Sequence, residues 1–381
     1  MKKLKLIDIA PYSGKRVQPF DGMKNYLSTG DLQNEGLSFE EVTFSNKPSR
    51  ADILVSEGDV MFAKMVNTNK VLQIDKTLDG TIVSTGFSVH RPDENILNGD
   101  YLIQFLKNNY FLRQKNKFCT GAIQSAISNT GIEKIFVPVP SISEQIQIAT
   151  ILNKSEALIE QRKKSIDLLD EFLKSIFLEM FGNPLRNNKK WKLLTLSEFG
   201  ESRLGKMLDG KKIIGNNLKP YLRNTNVIWF GFKLDELLEM DFNEEDRKEF
   251  SLKKGDILMC EGGEIGRCAI WKNELQECYF QKAIHRIRLN KKIALPEFFV
   301  FMFWQYTMSG GLKRFMNAVT ISHLTGEKLK KMKLPIPPIE LQTQFASIVN
   351  QTEIIKEKYK ESLTQLENLH GSLSHEAFKL N

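Results

Sequence analysis

The feature that most constrains this chain of 381 residues is an internal repeat. Gly58–Met61 (Gly-Asp-Val-Met) recurs as Gly255–Leu258 (Gly-Asp-Ile-Leu), an offset of 255 − 58 = 197 positions. Val137–Pro140 recurs at the same offset as Leu334–Pro337. The residues that continue the match without a gap include Gln145 and Gln342, Ala149 and Ala346, Ile151 and Ile348, Asn153 and Asn350, Glu160 and Glu357, and Leu169 and Leu366. A constant offset over so long a stretch indicates one structural unit that is present twice.

The two copies agree at their ends and differ in their interiors. The segment Phe62–Lys70 of the first copy shares almost no residue with the interior segment Cys260–Cys268 of the second copy. This pattern predicts one scaffold used twice, with a different recognition surface on each copy. An enzyme with a duplicated active site would instead be expected to repeat its polar residues.

Each copy begins with a module that mixes short strands with a helix. Apolar runs bounded by turn residues predict the strands, and apolar residues at helical spacing predict the helix. The predicted elements are strands at Asp52–Val55, Gly58–Ala63 and Thr81–His90 with a helix at Tyr101–Lys107, then strands at Gly255–Met259 and Gln281–Leu289 with a helix that begins at Pro296.

Each module ends in a Pro-x-Pro strand that is followed by a long helix. Ser141 or Ser143 can cap the first helix, and Glu144 lies near its positive N-terminal end. About 38 residues at 1.5 Å per residue give roughly 57 Å. The apolar spacing predicts a coiled coil through Ile159, Ile166, Leu169, Leu173, Ile176 and Met180 in the first helix and Ile348, Thr352, Ile355, Tyr359, Ser362, Leu366, Leu369 and Leu373 in the second. The two helices can pair antiparallel within one chain or, alternatively, in a parallel homodimer.

The formal net charge of +8 favours a polyanionic partner. The cations cluster at Arg203, Lys206, Lys211, Lys212, Lys219 and Arg223, and again at Lys313, Arg314, Lys328, Lys330, Lys331 and Lys333. Such side chains suit phosphate contacts, which position a protein on duplex DNA. The alternative is a solvated surface that keeps the protein soluble. No run approaches the roughly 20 apolar residues of a membrane span, and Met1–Ala10 does not fit a signal peptide, so we expect a cytoplasmic protein.

The sequence carries no motif that is typical of catalysis. Asn183–Leu185 lacks the second proline and the aromatic residue with which an amino-methyltransferase positions its target amine, and no Gly-x-x-x-x-Gly-Lys-Ser/Thr loop is present. Cys260, Cys268, Cys278 and His285 could supply four zinc ligands, but we favour the alternative that these cysteines are small buried residues of strands. We therefore predict neither a catalytic site nor a metal site.

Base reading requires side chains with paired donors and acceptors: Arg for guanine, Asn or Gln for adenine, and Glu for cytosine. The candidates lie where the two copies diverge most. They are Lys64, Asn67, Asn69, Lys70 and Gln124 in the first copy and Arg223, Asn224, Asn226, Glu264, Arg267 and His323 in the second, with Lys206 and Lys211 as phosphate contacts.

These motifs resemble those of the specificity subunits of Type I restriction-modification systems. The matching segments are Gly255–Arg267, Leu334–Gln344 and their counterparts that begin at Gly58 and Val137, and the resemblance covers nearly the whole chain. The first module departs from the second in lacking an equivalent of Trp191.

The resemblance implies a DNA-binding protein with two target-recognition domains, each followed by a long helix. It also implies double-stranded DNA as the ligand and a complex with two modification (methyltransferase) subunits and with restriction subunits, without a membrane partner. S-adenosylmethionine, ATP and Mg would then be bound by those partners and none of them by this chain. Lys64 and Asn67 stand where the second module has Glu261–Glu264, which suggests that the modules read different half-sites.

The predicted fold class is α+β, with two similar α/β target-recognition domains separated by two long helices that pair as an antiparallel coiled coil. The predicted function is a non-catalytic subunit that reads a bipartite DNA target. The alternatives are a specificity module that retains methyltransferase or nuclease activity, and a coiled-coil scaffold that binds no nucleic acid. The predicted boundaries are 1–140 and 191–337 for the recognition domains, 141–182 and 338–381 for the helices, and 183–190 for a linker.

Overall fold

The computed structural model describes residues 2–33, 36–121, 125–207, 215, 217–313 and 324–379. The chain divides into two compact units, one formed by residues 1–164 with 361–381 and the other by residues 165–360. Each of the two long helices therefore contributes one half to each unit. No helix in the described ranges is both long and apolar enough to cross a membrane.

Unit 1 combines short sheets with small helices. Its strands β2, β7, β10, β3 and β6 pair in that order, and β11, β8 and β9 form a second sheet. Strand β1 pairs antiparallel with β14, so that Lys2 lies opposite Val139. The elements are β1 (Lys2–Lys5), α1 (Leu6–Ile9), β2 (Lys15–Arg16), β3 (Lys24–Leu27), β4 (Leu32–Gln33), β5 (Gly36–Leu37), β6 (Glu40–Val42), β7 (Ala51–Leu54), β8 (Val60–Ala63), β9 (Val71–Gln73), β10 (Ile82–Ser84), β11 (Phe87–His90), α2 (Gly99–Lys107), α3 (Asn109–Lys117), β12 (Cys119–Thr120), β13 (Ala126–Ile127), α4 (Asn129–Ile132), β14 (Phe136–Val139) and the first part of α5 (Ile142–Phe181).

Unit 2 repeats the plan with a different interior. Strands β16, β24, β21 and β22 form one sheet and β20, β17 and β23 another, and β15 pairs with β25 as β1 does with β14. The elements are β15 (Lys192–Thr195), α6 (Leu196–Phe199), β16 (Gly200–Leu204), β17 (Leu218–Leu222), a 3-10 turn (Asn224–Asn226), β18 (Val227–Ile228), β19 (Gly231–Phe232), β20 (Leu238–Asp241), α7 (Glu244–Glu249), β21 (Ile257–Cys260), β22 (Cys268–Ile270), β23 (Tyr279–Phe280), β24 (Ile284–Leu289), α8 (Pro296–Met308), α9 (Gly326–Lys331), β25 (Lys333–Ile336) and α10 (Ile339–Phe378). The predicted strands and helices are present with ends that differ by a few residues, and the predicted segment Thr81–His90 is divided into β10 and β11, which belong to different sheets.

A buried aspartate fixes the same corner of both scaffolds. The Asp59 carboxylate accepts from the Arg91 guanidinium at 2.7 Å, and the Asp256 carboxylate accepts from Arg288 at the same distance. The glycine before each aspartate has a positive φ, 86° and 94°, which a side chain would strain. The repeated Gly-Asp motif is therefore a structural corner that starts strand β8 in one unit and β21 in the other.

A fully buried glutamine joins each long helix to its own module. The Gln145 side-chain amide donates to the carbonyls of Ile96 (2.9 Å) and Pro140 (3.0 Å), and its oxygen accepts from the Asn98 backbone (2.9 Å). The corresponding bonds of Gln342 are 2.9 Å to Ile293, 2.8 Å to Pro337 and 2.9 Å from Leu295. Ser141 caps the first helix as predicted: its hydroxyl accepts from the Glu144 backbone nitrogen at 3.4 Å, and its own backbone nitrogen donates to the Glu144 carboxylate at 2.9 Å.

The long helices pair antiparallel within each unit. In unit 1 the first half of α5 meets the last half of α10, and the Ser155 hydroxyl lies 2.7 Å from His370 Nδ1. In unit 2 the second half of α5 meets the first half of α10, and Lys356 Nζ lies 2.5 Å from the Asp170 carboxylate. The predicted antiparallel pairing within one chain is confirmed.

The predicted seam is wrong at two positions of the second helix. Ile355 and Leu369 are 42% and 52% exposed, whereas the neighbouring Lys356 and His370 are partly buried in the seam. The register could not be read from apolar residues alone because polar side chains occupy these seam positions and pair across it. Leu173 is buried as predicted.

Candidate nucleic-acid interface

The segment Lys64–Lys70 connects strands β8 and β9 of unit 1 and differs from its counterpart in unit 2, so we call it the variable loop of unit 1. The Lys64 backbone nitrogen donates to the Gly86 carbonyl and its carbonyl accepts from the Ile127 nitrogen, both at 2.9 Å. These two bonds hold the start of the loop between two other chain segments.

The variable loop of unit 2 begins at the equivalent residue, Glu261, after strand β21. Its backbone nitrogen donates to the Ala283 carbonyl and its carbonyl accepts from the Leu324 nitrogen, again both at 2.9 Å. All three residues lie 197 positions after their counterparts in unit 1. The loops that follow Lys64 and Glu261 are therefore mounted on the same backbone frame.

A buried lysine shapes the unit 1 loop. Lys115 Nζ donates to the carbonyls of Ala63 (3.1 Å) and Thr68 (2.5 Å), and burial lowers its pKa to about 8. Beside it, Asn116 Nδ2 donates to Asn67 Oδ1 at 2.7 Å, and Asn67 adopts a positive φ of 57°. Lys115 was not among the predicted residues; its spacing of four from the buried Phe111 on α3 was the available signal.

The predicted unit 1 readers lie on or next to this loop. Lys64 is half-buried, and burial lowers the pKa of its ammonium group. Asn67 and Asn69 are exposed. Lys70 Nζ donates to the Thr29 carbonyl at 2.6 Å, which ties the end of the loop to a distant segment of unit 1. Gln124 lies outside the described residues.

Several predicted unit 2 readers meet in one network. Arg267 donates to the Glu264 carboxylate (2.9 Å) and to the Asn224 carbonyl (2.9 Å). The Trp229 indole donates to the other Glu264 oxygen at 2.7 Å, and the Asn224 side-chain amide donates to the Gly262 carbonyl at 2.8 Å. The network holds the glycine-rich loop Gly262–Gly266 against the 3-10 turn Asn224–Asn226.

Other predicted residues of unit 2 support the fold locally. Asn226 is buried, and its amide donates to the Lys233 carbonyl at 3.0 Å while its oxygen accepts from the Arg223 backbone at 2.9 Å. Lys206 Nζ lies 2.5 Å from the Asp246 carboxylate, so this cation is already paired. Lys211 and His323 lie outside the described residues.

A cleft of about 480 Å³ opens beside the unit 2 loop. It is lined by Met207, Asn224, Glu261, Gly262, Gly263, Gln281, Lys282 and Ala283. Glu261 was not among the predicted readers, although it occupies the same repeat position as the predicted Lys64.

The three cysteines of unit 2, Cys260, Cys268 and Cys278, are all buried. Burial raises the pKa of the Cys260 thiol and raises that of Cys278 to about 12, which favours the protonated form that does not bind metals. His285 Nε2 lies 3.1 Å from the Leu324 carbonyl. Within the described ranges, no three His, Cys, Asp or Glu side chains are grouped as metal ligands.

Comparison with known proteins places this repeated architecture in a family. The family model described as the Type I restriction modification DNA specificity domain matches residues 1–169 and again residues 188–368. The chain belongs to this family.

Relatives and solved structures agree with that assignment. A putative type I restriction enzyme specificity subunit of Haemophilus influenzae is 26% identical over 273 residues, which cover 70% of this chain and 67% of the relative. The MjaVIII specificity subunit of Methanocaldococcus jannaschii is 24% identical over 379 residues, which cover 91% and 84%. The S subunit of a Type I system from M. genitalium shares the fold with a TM-score of 0.55 at 14% identity, over 100% of this chain and 96% of that one. The predicted family, fold class and function as a DNA specificity subunit are confirmed by the family model and these relatives.

Proposed function

We propose that this chain reads a bipartite double-stranded DNA target, with one half-site for each recognition domain. The observation that carries the proposal is the duplicated frame at Lys64 and Glu261, which presents different side chains from the same backbone. A common frame with divergent loops is suited to two different sequences held by one protein. The exposed amide of Asn69 provides the donor and acceptor groups that base edges require.

We further propose that the chain has no catalytic activity of its own. Its sequence lacks the Pro-Pro-aromatic segment of amino-methyltransferases and the phosphate-binding loop of nucleotide hydrolases. In this proposal S-adenosylmethionine is bound by modification subunits, and ATP and Mg are bound by restriction subunits of the same complex.

The exposed apolar residues of the helices support docking of two copies of one partner. Leu158 and Phe172 on α5 are exposed, and their repeat equivalents on α10, Ile355 and Leu369, are exposed as well. Large apolar side chains in water commonly mark a protein interface. Because the exposed positions are duplicated, with Leu158 and Leu369 in unit 1 and Phe172 and Ile355 in unit 2, each unit would present equivalent apolar positions to one modification subunit.

The function is tested by mapping methylated adenines in cells that express the modification subunit with and without this chain. We expect methylation at one motif made of two short sequences and an unread spacer, and only when both proteins are present. The purified chain alone should show no methyl transfer or cleavage. Turnover by the chain free of any partner would contradict the non-catalytic assignment, and methylation independent of the chain would contradict its reading role.

The docking surface is tested with charged substitutions at equivalent positions. Leu158→Asp or Ile355→Asp alone should leave one modification subunit bound, and the double variant should bind none, as measured by the mass of the purified complex. Gln147→Asp and Gln344→Asp are matched controls, because both residues are exposed and equivalent on the same helices. Retention of two subunits by the double variant would exclude this surface.

A further inference from the structure

Lys64 and Glu261 occupy one structural position and carry opposite charges. Each is the first residue after an equivalent buried strand, and each is held by the same pair of backbone hydrogen bonds at 2.9 Å. Since the backbone leaves both strands along the same path, the two side chains start from corresponding points of the two units. A difference in what the two residues recognise therefore comes from the side chain and not from the position of the backbone.

Both side chains lack a bonding partner within the described ranges. Neither the Lys64 ammonium group nor the Glu261 carboxylate makes a hydrogen bond or ion pair there, and no carboxylate offsets the burial that lowers the pKa of Lys64. The partly desolvated charge of Lys64 has no counter-group, which is unfavourable until a ligand supplies one. The Glu261 carboxylate interacts electrostatically with the His285 ring, whose pKa it raises against the larger lowering by burial. Glu261 also lines the cleft beside Gly262 and Gly263, where the absence of side chains leaves room for a ligand edge.

The other charged candidates nearby are already engaged. Lys70 bonds to a backbone carbonyl, Lys206 pairs with Asp246, and Glu264 and Arg267 pair with each other. These contacts hold the loops in shape and leave those groups less able to bond a new partner. The free charges at Lys64 and Glu261 stand apart from this group.

We propose that Lys64 and Glu261 are the equivalent base-reading residues of the two modules, with Lys64 donating to the O6 and N7 acceptors of a guanine and Glu261 accepting from the N4 amino group of a cytosine. Lysine and glutamate suit these two bases because of their donor and acceptor patterns in the major groove. The inference rests on the proposed function and adds which residue reads which base in each half-site.

Reciprocal charge exchange in the full chain, expressed with its modification subunit, tests the proposal. Lys64→Glu should change one base pair of the first half-site, from guanine to cytosine on the strand that is read, and leave the second half-site unchanged. Glu261→Lys should make the opposite change in the second half-site only. The neutral Lys64→Leu and Glu261→Leu, whose side chains have no hydrogen-bonding group, should relax the same positions, with discrimination falling roughly 5- to 150-fold in binding to duplexes that differ at one base pair.

Matched controls separate base reading from general electrostatics. Lys76→Glu and Glu245→Lys make the same charge changes at exposed residues outside the two loops, and both should leave the motif unchanged. The proposal is overturned if the charge-exchanged and neutral variants keep the wild-type motif and weaken all duplexes equally, or if the motif changes at more than one position. Absence of any sequence-specific modification by the wild-type complex would instead overturn the proposed function.

Discussion

A single buried side chain decides how each long helix is attached to its module. The three hydrogen bonds of Gln342 satisfy two carbonyls and one backbone nitrogen that the fold removes from water. Leaving such groups unpaired costs about 1–3 kcal/mol each. Each glutamine therefore stabilises the junction between a long helix and its module.

Replacing this glutamine should destabilise unit 2. We expect Gln342→Leu to lower the free energy of unfolding by about 3 kcal/mol or more, because it leaves buried polar groups without partners. Urea unfolding of the full chain measures the change. Gln344→Leu, two positions away on the exposed side of α10, is the matched control and should change stability by less than about 0.5 kcal/mol. Equal effects of the two substitutions would show that the buried bonds contribute little.

A buried histidine makes the stability of unit 1 depend on pH. Burial lowers the pKa of His90 from 6.5 to about 4, so between these values the unfolded chain binds a proton that the folded chain does not. The contribution of neutral His90 to the free energy of unfolding is therefore fully present above pH 6.5. It is lost as the pH drops toward 4, by about 3 kcal/mol in total. His90→Gln should reduce this loss in unfolding measured at pH 5 and 7. Substitution of the exposed His375 should not, and an unchanged slope in His90→Gln would refute the assignment.

Candidate site residues can be predicted from the sequence only in part. Lys64, Asn67 and Asn69 are predicted readers because they lie where the copies diverge, which is visible in the sequence. Whether a lysine is free or already bonded depends on tertiary contacts, so Lys206 could not be distinguished from Lys64. Lys115 and Glu261 were missed because their positions depend on contacts with chain segments distant in sequence.

At the scale of elements, the helix seam shows what periodicity can and cannot establish. The apolar spacing correctly predicted two long helices and their pairing. It misplaced Ile355 and Leu369 because two neighbouring rows of α10 both carry apolar residues, and the seam row contains Lys356 and His370. Only the partners across the seam, Asp170 and Ser155, decide which row is inside.

The paired helices should set the spacing of the DNA target. Asp170 and Lys356 lie opposite each other, so four residues inserted after Leu169 and four after Lys356 would lengthen both helices while keeping their contacts. The added 6 Å is close to two base-pair steps. We expect the methylated motif to keep both half-sequences while an unread spacer on the order of 5 to 8 base pairs becomes longer.

The single insertion after Leu169 is the comparison for this design. It shifts one helix by about a turn against the other and should reduce complex stability and activity. An unchanged spacer in a fully active double insertion would show that the helices do not set the distance.

At the scale of the whole molecule, the repeat offset predicted two similar modules, and the family match to both halves agrees with it. Which chain segments make up each unit could not be predicted from the sequence. Residues 361–381 join unit 1 through tertiary contacts such as that of Phe378 with Tyr101, whose ring centres are 5.3 Å apart. Periodicity along α10 carries no information about which module each half of the helix packs against.

Exchange of residues 1–140 for the same region of a relative should change one half of the DNA target only. The graft should retain Tyr101 and Asn108, since Asn108 donates to Ser374 of α10 at 2.7 Å. The methylated motif of cells carrying the hybrid measures the outcome, with the second half-sequence as the internal control. A change in both halves would show that the modules do not read independently.

The division of the chain into units also fixes the order in which they can be completed during synthesis. When residue 360 leaves the ribosome, all of unit 2 has been made, whereas unit 1 still lacks residues 361–381. Until then Tyr101 and Phe105 have no Phe378 to pack against, and Asn108 has no Ser374. The module translated first is therefore the last to acquire its full core.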